Sequence, residues 1–266
     1  MRNRLTDELA VCGFHAVTAL GEVHPEKINR LFLREDRAHA FGTVCKQLAE
    51  RKRPYKICDN EELERICKSS HHQGVVAMML PPDIQPASED DIADWVTGRH
   101  YGLVLQDIGN DHNLGAIIRS AAFFGAKYLI IAGESEDEEH LSGADLITTS
   151  CYRVAEGGME YLTIRTVRNG VAFLKALSRG VWTVGTELRA RQRIDNLENL
   201  IGYADLADRE GPPPPLAIVL GNEEDGLPKE VLSQCRLRLR VPGSGNIESL
   251  NVAQAATIFL QKLYSL

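Results

Sequence analysis

From about residue 100 onward the chain repeats one constraint: short, almost unbroken apolar runs separated by stretches of helix length. The runs are Leu103-Val-Leu105, Tyr128-Leu-Ile-Ile131, Val181-Trp-Thr-Val184 and Leu216-Ala-Ile-Val-Leu220, with a fifth strand predicted at Leu237-Arg-Leu-Arg-Val241. A strand with no polar alternation has no face for water, so it must be covered on both sides. Helices predicted near 113–124, 168–178 and 228–234, with a closing one from about Ser249, supply that cover. Alternation of this kind builds an α/β fold with a parallel sheet, because parallel neighbours need a crossover connection. The stretch 187–215 ends in four consecutive prolines and is predicted as an exposed loop.

Residues 1–80 repeat the alternation on a smaller scale. Strands are predicted at Ile28-Asn-Arg-Leu-Phe-Leu33, Tyr55-Lys-Ile-Cys58 and Val75-Val-Ala-Met-Met-Leu80, and helices from Arg37 to Glu50 and from Asp59, as cap, through Cys67. This predicts a small α/β sandwich. Leu80-Pro-Pro-Asp-Ile-Gln-Pro-Ala-Ser-Glu-Asp-Asp91 favours an extended connection. The expected layout is therefore a domain over 1–80, a linker over 81–98 and a second domain over 99–266.

Composition bounds the class. No apolar run approaches the roughly 20 residues that span a bilayer, and the first residues lack the continuous apolar core of a secretory signal. The six cysteines are scattered without CxxC or zinc-like spacing, as expected of free thiols in a reducing cytoplasm. The net charge of -7 weighs against nucleic acid as a partner of the whole chain. Residues 1–80, however, hold 13 Lys and Arg against 11 Asp and Glu, and five of the eight histidines. Arg51-Lys52-Arg53, with Lys56, forms a small basic patch there, readable as an RNA contact or as a solvated helix end.

Several chemistries lack their motifs. No G-x-G-x-x-G follows the strand at 103–105, and neither a P-loop nor a G-x-S-x-G occurs. Asp107, Asp111 and His112 fall in a turn without metal-ligand spacing, so no metal is expected. Three segments remain in which glycines and polar residues sit directly beside strongly apolar ones: Asn113-Leu-Gly-Ala-Ile-Ile-Arg119, Leu220-Gly-Asn-Glu-Glu-Asp-Gly-Leu-Pro228, and Val241-Pro-Gly-Ser-Gly-Asn-Ile-Glu-Ser-Leu-Asn-Val-Ala-Gln-Ala-Ala256. Asn113 reads either as a helix cap or as a site residue. Arg119, in so apolar a helix, calls for an ion-pair partner or an anion. Gly221 and Gly226 flank either a tight acidic turn or a backbone that approaches a ligand closely. Ser249 reads as a cap of the last helix, whereas Asn251 in its first turn has poor helix propensity. Three such loops in one domain point to one composite site.

The three segments resemble, in order, the three signature motifs of the SpoU (TrmH-like) family of RNA ribose 2′-O-methyltransferases within the SPOUT superfamily. Tyr152-Arg-Val-Ala-Glu-Gly-Gly158 resembles a frequent segment of that family, and the region with Cys12-Gly-Phe-His-Ala-Val17 is similar to its substrate-binding domain. The resemblance implies a parallel sheet whose C-terminal part is threaded into a deep trefoil knot, a homodimer, an RNA substrate (rRNA or tRNA), and S-adenosylmethionine as cofactor. It places that cofactor on Thr186, Leu220, Gly221, Asn222, Val241 and the stretch from Ile247 to Leu250. It makes Arg119 the catalytic arginine, in contact with RNA, with Asn113, Glu223, Ser249 and Asn251 orienting it, the ribose and the methionine moiety. Gly243 conforms to the family pattern; Glu224 stands where a small residue is common.

Methyl transfer from a sulfonium is an in-line displacement that needs alignment and an activated oxygen. A guanidinium has donors and no acceptor, so Arg119 suits binding the neighbouring phosphate and stabilising developing alkoxide charge rather than accepting a proton. The competing readings are a non-catalytic RNA-binding or ribosome-assembly protein on the same scaffold, and base methylation within the superfamily. The intact polar set argues against the first and Ser249-Leu-Asn251 against the second.

Overall fold

The computed structural model describes residues 7–133, 144–203 and 212–266, which fall into two compact units. The first contains β1 (Leu9–Cys12), α1 (Phe14–Val23), β2 (Arg30–Leu33), α2 (Gly42–Glu50), β3 (Tyr55–Ile57), α3 (Asn60–Cys67) and β4 (Val75–Met79). Its sheet has the order β1-β4-β2-β3, with β2 and β3 parallel and the other pairs antiparallel. Every residue of β1 and β4 is buried. Ala10, Cys12, Val76 and Met78 on one face pack with Leu63 and Cys67 of α3, and strand alternation turns their neighbours to the opposite face. The predicted cap is present: Asp59 accepts a hydrogen bond from the Glu62 amide at 2.8 Å. α2 starts later than predicted, after a single 3-10 turn over Glu35–Arg37.

The second unit continues with α4 (Glu89–Thr97), β5 (Tyr101–Gln106), α5 (Asp111–Phe123) and β6 (Tyr128–Ala132). After α6 (Thr149–Ala155), which clusters with the first unit, come β7 (Thr163–Val167), α7 (Gly170–Leu177), β8 (Trp182–Thr186) and β9 (Gln192–Arg193). The chain closes with α8 (Leu197–Leu200), β10 (Leu216–Leu220), α9 (Lys229–Ser233), β11 (Leu237–Arg240) and α10 (Val252–Tyr264). Seven strands form one sheet in the order β7-β6-β5-β10-β8-β11-β9, and every pair is parallel. Val104, Ile130, Ala217 and Val219 face Trp95 of α4, Leu174 and Leu177 of α7, and Val231 of α9. The alternate residues turn to the other face, where α10 packs against both α5 and β10. Two-sided cover is what the unbroken apolar runs required.

Three expectations change. The proline-rich stretch does not stay extended to residue 98, because Ser88 and Asp91 form a reciprocal capping box that starts α4 at Glu89. Trp95 then docks into the core of the second unit, 1% exposed, stacked on Tyr128 at 4.7 Å between ring centroids. The edge strand β7 escapes the apolar pattern because burial alternates along Thr-Ile-Arg-Thr-Val, as an edge allows. The stretch 187–215 is only partly loop: it contains β9 and α8 and buries Ala190, Ile194 and Leu197.

Residues 147–161, which include α6, cluster with the first unit although they lie between β6 and β7 in sequence. Cys151, Tyr152, Ala155 and Met159 are buried. Gly157 explains how closely this segment seats: at φ +93, a Cβ there would lie 2.6 Å from the Ala19 Cβ and 3.1 Å from the His15 carbonyl oxygen. All six cysteines are free thiols.

Candidate functional site

Parallel pairing aligns the carboxyl ends of β5, β10, β8 and β11 along one edge of the sheet, since Leu105 is level with Leu220, Gly185 with Val219, and Thr186 with Leu239. In open parallel sheets, ligands bind beyond that edge, at the strands where the winding reverses. Here the reversal lies between β5 and β10, and the first two motif segments follow those two strands.

Asn110, not Asn113, caps α5: its side-chain oxygen accepts from the His112 and Asn113 amides at 2.9 and 3.1 Å. Asn113 sits inside the first turn, and its side chain is free for longer-range work. It donates through Nδ2 to the Glu223 carboxylate at 2.6 Å and accepts at Oδ1 from Asn251 Nδ2 at 3.0 Å. The assignment of Asn251 also changes. It lies before α10 as its N-cap, with Oδ1 accepting from the Ala253 amide at 2.9 Å, so a helix-interior penalty does not apply. Its two side-chain atoms are thus divided between starting α10 and orienting Asn113. Residues 113, 223 and 251, from three separate segments, form one hydrogen-bonded relay.

The loop after β10 is built to present Glu223. Asn222 Nδ2 donates to the Asp107 carbonyl at 2.9 Å, and Asn222 Oδ1 accepts from the Glu224 amide at 2.8 Å. Gly221 is needed for a reason other than ligand approach: a Cβ there would lie 2.2 Å from both the carbonyl carbon and the oxygen of Gly226. The loop folds onto its own backbone. Glu224, the departure from the family pattern, is exposed, so its bulk meets no packed neighbour. Asp107 holds a left-handed φ of 54° at the end of β5, with its carboxylate accepting from Gln106 Nε2 at 2.7 Å. Sequence reasoning considered Asp107 only as a metal ligand and gave it no place in the site.

The remaining expected residues are placed as follows. Thr186 ends β8 and is half-buried, Leu220 ends β10 and is buried, and Val241 follows β11. Ser249 is exposed, as are Ile247 at 82% and Leu250 at 47%, large fractions for aliphatic side chains. Arg119 is exposed rather than enclosed by apolar neighbours. Six residues along α5 put it about 9 Å further down the axis and about 120° round from Asn113. Arg51 and Lys52 are exposed, but Arg53 donates through its guanidinium to the Glu26 and Ile28 carbonyls, which ties it to the fold. Among the described residues, no group of three or more His, Cys, Asp or Glu is placed to hold a metal ion.

A family model described as the SpoU rRNA Methylase family matches residues 101–261. The chain belongs to the SpoU rRNA methylase family. A second model, described as RNA 2′-O ribose methyltransferase substrate binding, matches residues 10–85. The chain is 31% identical over 253 residues to the 23S rRNA (guanosine-2′-O-)-methyltransferase RlmB of Ralstonia nicotianae, covering 93% of this chain and 92% of that protein. It is 29% identical over 258 residues to the RlmB protein of Nitrosomonas europaea, covering 96% and 91%. Among solved SpoU structures, AviRb from Streptomyces viridochromogenes superposes with a TM-score of 0.70 at 21% identity, over 98% of this chain and 90% of that one. An AdoMet-bound rRNA methyltransferase from Sinorhizobium meliloti gives 0.67 at 21% identity, over 98% and 88%. These likenesses establish the shared SpoU fold. Among the described residues, no helix is long and apolar enough to cross a membrane.

Proposed function

We propose that the chain transfers a methyl group from S-adenosylmethionine to a ribose 2′-hydroxyl of RNA, with ribosomal RNA the substrate class favoured by the names of its relatives. The observation that carries this reading is the Asn113–Glu223–Asn251 relay beyond the β5–β10 reversal, in a chain of this family.

The residues present fit the cofactor. Among the described residues, 242–250 take part in no backbone–backbone hydrogen bond, and apart from the Asn246 amide, which donates to Ser244 Oγ at 3.3 Å, the polar backbone of that loop is open to a purine edge. Ile247 and Leu250 offer exposed aliphatic surface for its faces. Thr186, Leu220, Gly221, Asn222 and Val241 would complete the holding set. When bound, this cofactor supplies the electrophilic methyl group.

The chain's own residues then have distinct tasks. Glu223, held by Asn113, presents a fixed carboxylate toward the sugar hydroxyl. Asn251 keeps Asn113 in the required amide orientation. Ser249 offers a hydroxyl from the exposed loop to orient the ribose. Arg119, a guanidinium with five donors and no acceptor, binds the adjoining phosphate and stabilises developing charge on the attacking oxygen.

The same reading includes the knot and the dimer. A knot is supported by strand order: β8 and β11 lie on the far side of β10 from β5, yet the chain after β11 returns to pack α10 against α5. A crystal structure whose trace unties when its ends are pulled would remove that part. A second copy is supported by Phe123 and Tyr264, 80% and 67% exposed at the neighbouring ends of α5 and α10. Light scattering showing a monomer at micromolar concentration would remove the dimer.

The test of function is incubation with labelled S-adenosylmethionine and total RNA, followed by nucleoside analysis. A 2′-O-methylnucleoside is expected, and Arg119→Ala should abolish it while calorimetric cofactor binding persists. A methylated base, or no transfer to any RNA, would refute the reading; equal loss of binding and turnover in Arg119→Ala would refute the role given to Arg119.

A further inference from the structure

The first unit contains a cavity of about 80 Å³ beside the start of α1, bordered by Gly13, His15, His71, Gln73, Arg153 and Glu156. Arg153 and Glu156 come from the 147–161 segment, outside the 10–85 stretch matched as substrate-binding. The segment is held firmly: Thr148 caps α6 by accepting from the Cys151 amide, Tyr152 and Ala155 are buried, and Gly157 seats against α1. Arg153 is therefore delivered to a fixed place. Among the described residues it forms no ion pair with a carboxylate.

The lining is rich in donors. Arg153 has five N–H groups and no acceptor, and His15 and His71 add imidazoles. Gln73 accepts from the Phe14 amide at 2.7 Å, which leaves its NH₂ group to donate elsewhere. Beyond Phe14 lies Arg37, whose guanidinium is 5.2 Å from that ring centroid and whose Nε finds no hydrogen-bond acceptor. The one acidic member is Glu156. Since one water needs ~10–15 Å³ of such volume, the space has room for a phosphate with a neighbouring hydroxyl.

We infer that this cavity is a subsite for a ribose–phosphate of the RNA, with the phosphate on Arg153, His15, His71 and Gln73 and a 2′-hydroxyl donating to Glu156. The inference rests on RNA being the substrate, as proposed above. The combination of donors with one acceptor is what separates it from a general anion site. A 2′-hydroxyl can donate to a carboxylate, whereas DNA and free phosphate diester lack that group. The subsite also gives the conspicuous Tyr152–Gly158 stretch a task, the delivery of an arginine and a glutamate to the substrate-binding unit.

The test uses the full chain and protein-free ribosomal RNA, fragmented and end-labelled, with a DNA pool of the same lengths. Arg153→Ala should weaken RNA binding at least tenfold and lower the salt dependence by about one counterion. Lys175→Ala, an exposed cation on α7, should leave RNA affinity within twofold. Glu156→Gln should narrow the preference for RNA over DNA. Cofactor binding by calorimetry should be unchanged in all three. If Arg153→Ala misfolds, Arg153→Lys, which keeps charge but loses the fork, and His71→Ala carry the same expectation. Equal effects of Arg153→Ala and Lys175→Ala would overturn the subsite, as would competition by millimolar inorganic phosphate that matches competition by RNA. Methyl transfer is followed in parallel: a wild-type protein that binds RNA through Arg153 without methylating it overturns the proposed reaction and supports the subsite. A protein that methylates RNA while Arg153→Ala binds normally overturns the subsite alone.

Discussion

Gly221→Ala is the sharpest single-atom perturbation available at the site. The added methyl would lie 2.2 Å from the carbonyl carbon and oxygen of Gly226 and 2.5 Å from the Leu227 amide nitrogen, where ordinary contact begins at 3.4 Å. All three obstacles are backbone, so no rotamer change can relieve them, and the 221–227 loop must open by about 1.2 Å, the difference between the 2.2 and 3.4 Å spacings. The Asn222 bond to the Asp107 carbonyl, now 2.9 Å, spans that loop and is expected to lengthen or break as it opens. Glu223 would then lose the support that aims it at Asn113. Overpacking of this kind costs about 1–3 kcal/mol, which at roughly 2–4 °C per kcal/mol lowers the melting temperature by several degrees. The assay pairs differential scanning calorimetry with titration of S-adenosylmethionine, and affinity should fall at least tenfold. Gly42→Ala, in α2 of the first unit, is the control: nothing lies within 4 Å of its added carbon, and neither readout should fall. A Gly221→Ala protein with unchanged affinity and melting temperature would refute the claim that loop closure positions the site.

Two further expectations follow from packing and burial. Trp95→Ala removes a ring stacked on Tyr128 and an indole donor to the Leu216 carbonyl at 3.3 Å. It should cost about 3–5 kcal/mol in urea unfolding; a cost below about 1 kcal/mol would mean that α4 behaves as linker after all. Glu160 has a side chain only 4% exposed, with His24 and Lys27 both 3.9 Å away. Burial raises its pKa above the ordinary carboxylate value, against the opposing pull of Lys27 and His24. A raised folded pKa contributes stability that is complete below the unfolded value near 4.5 and is lost as pH rises through the folded one. Melting temperature should therefore decline across that window in the parent and decline less in Glu160→Gln. Parallel profiles would show that Glu160 titrates normally.

What the sequence determined by itself was whatever follows from local periodicity. Unbroken apolar runs of strand length, separated by stretches of helix length, point to strands covered on both faces, so the parallel sheet was legible before any tertiary information. Asp59 was readable as a cap because capping is a contact across three residues. The three motif segments were legible because polar residues and glycines recur beside buried strands three times within one domain. Failures came where a residue's task is set by distant chain. Trp95 looked like part of a linker because its partner Tyr128 is 33 residues away in sequence. Gly221 looked like a place for a ligand, and only the folded loop revealed Gly226 in that space. Asn113 was readable as either a cap or a site residue, and the choice between them came from Asn110, which took the cap of α5 and left Asn113 to join residues more than a hundred positions away. Arg153 had no visible use until the 147–161 segment was seen packed in the first unit. Spacing along a chain encodes helices, strands and caps, which are short-range. Which side chains share a hydrogen bond across the carboxyl ends of a sheet depends on strand order, and strand order is a property of the tertiary fold alone.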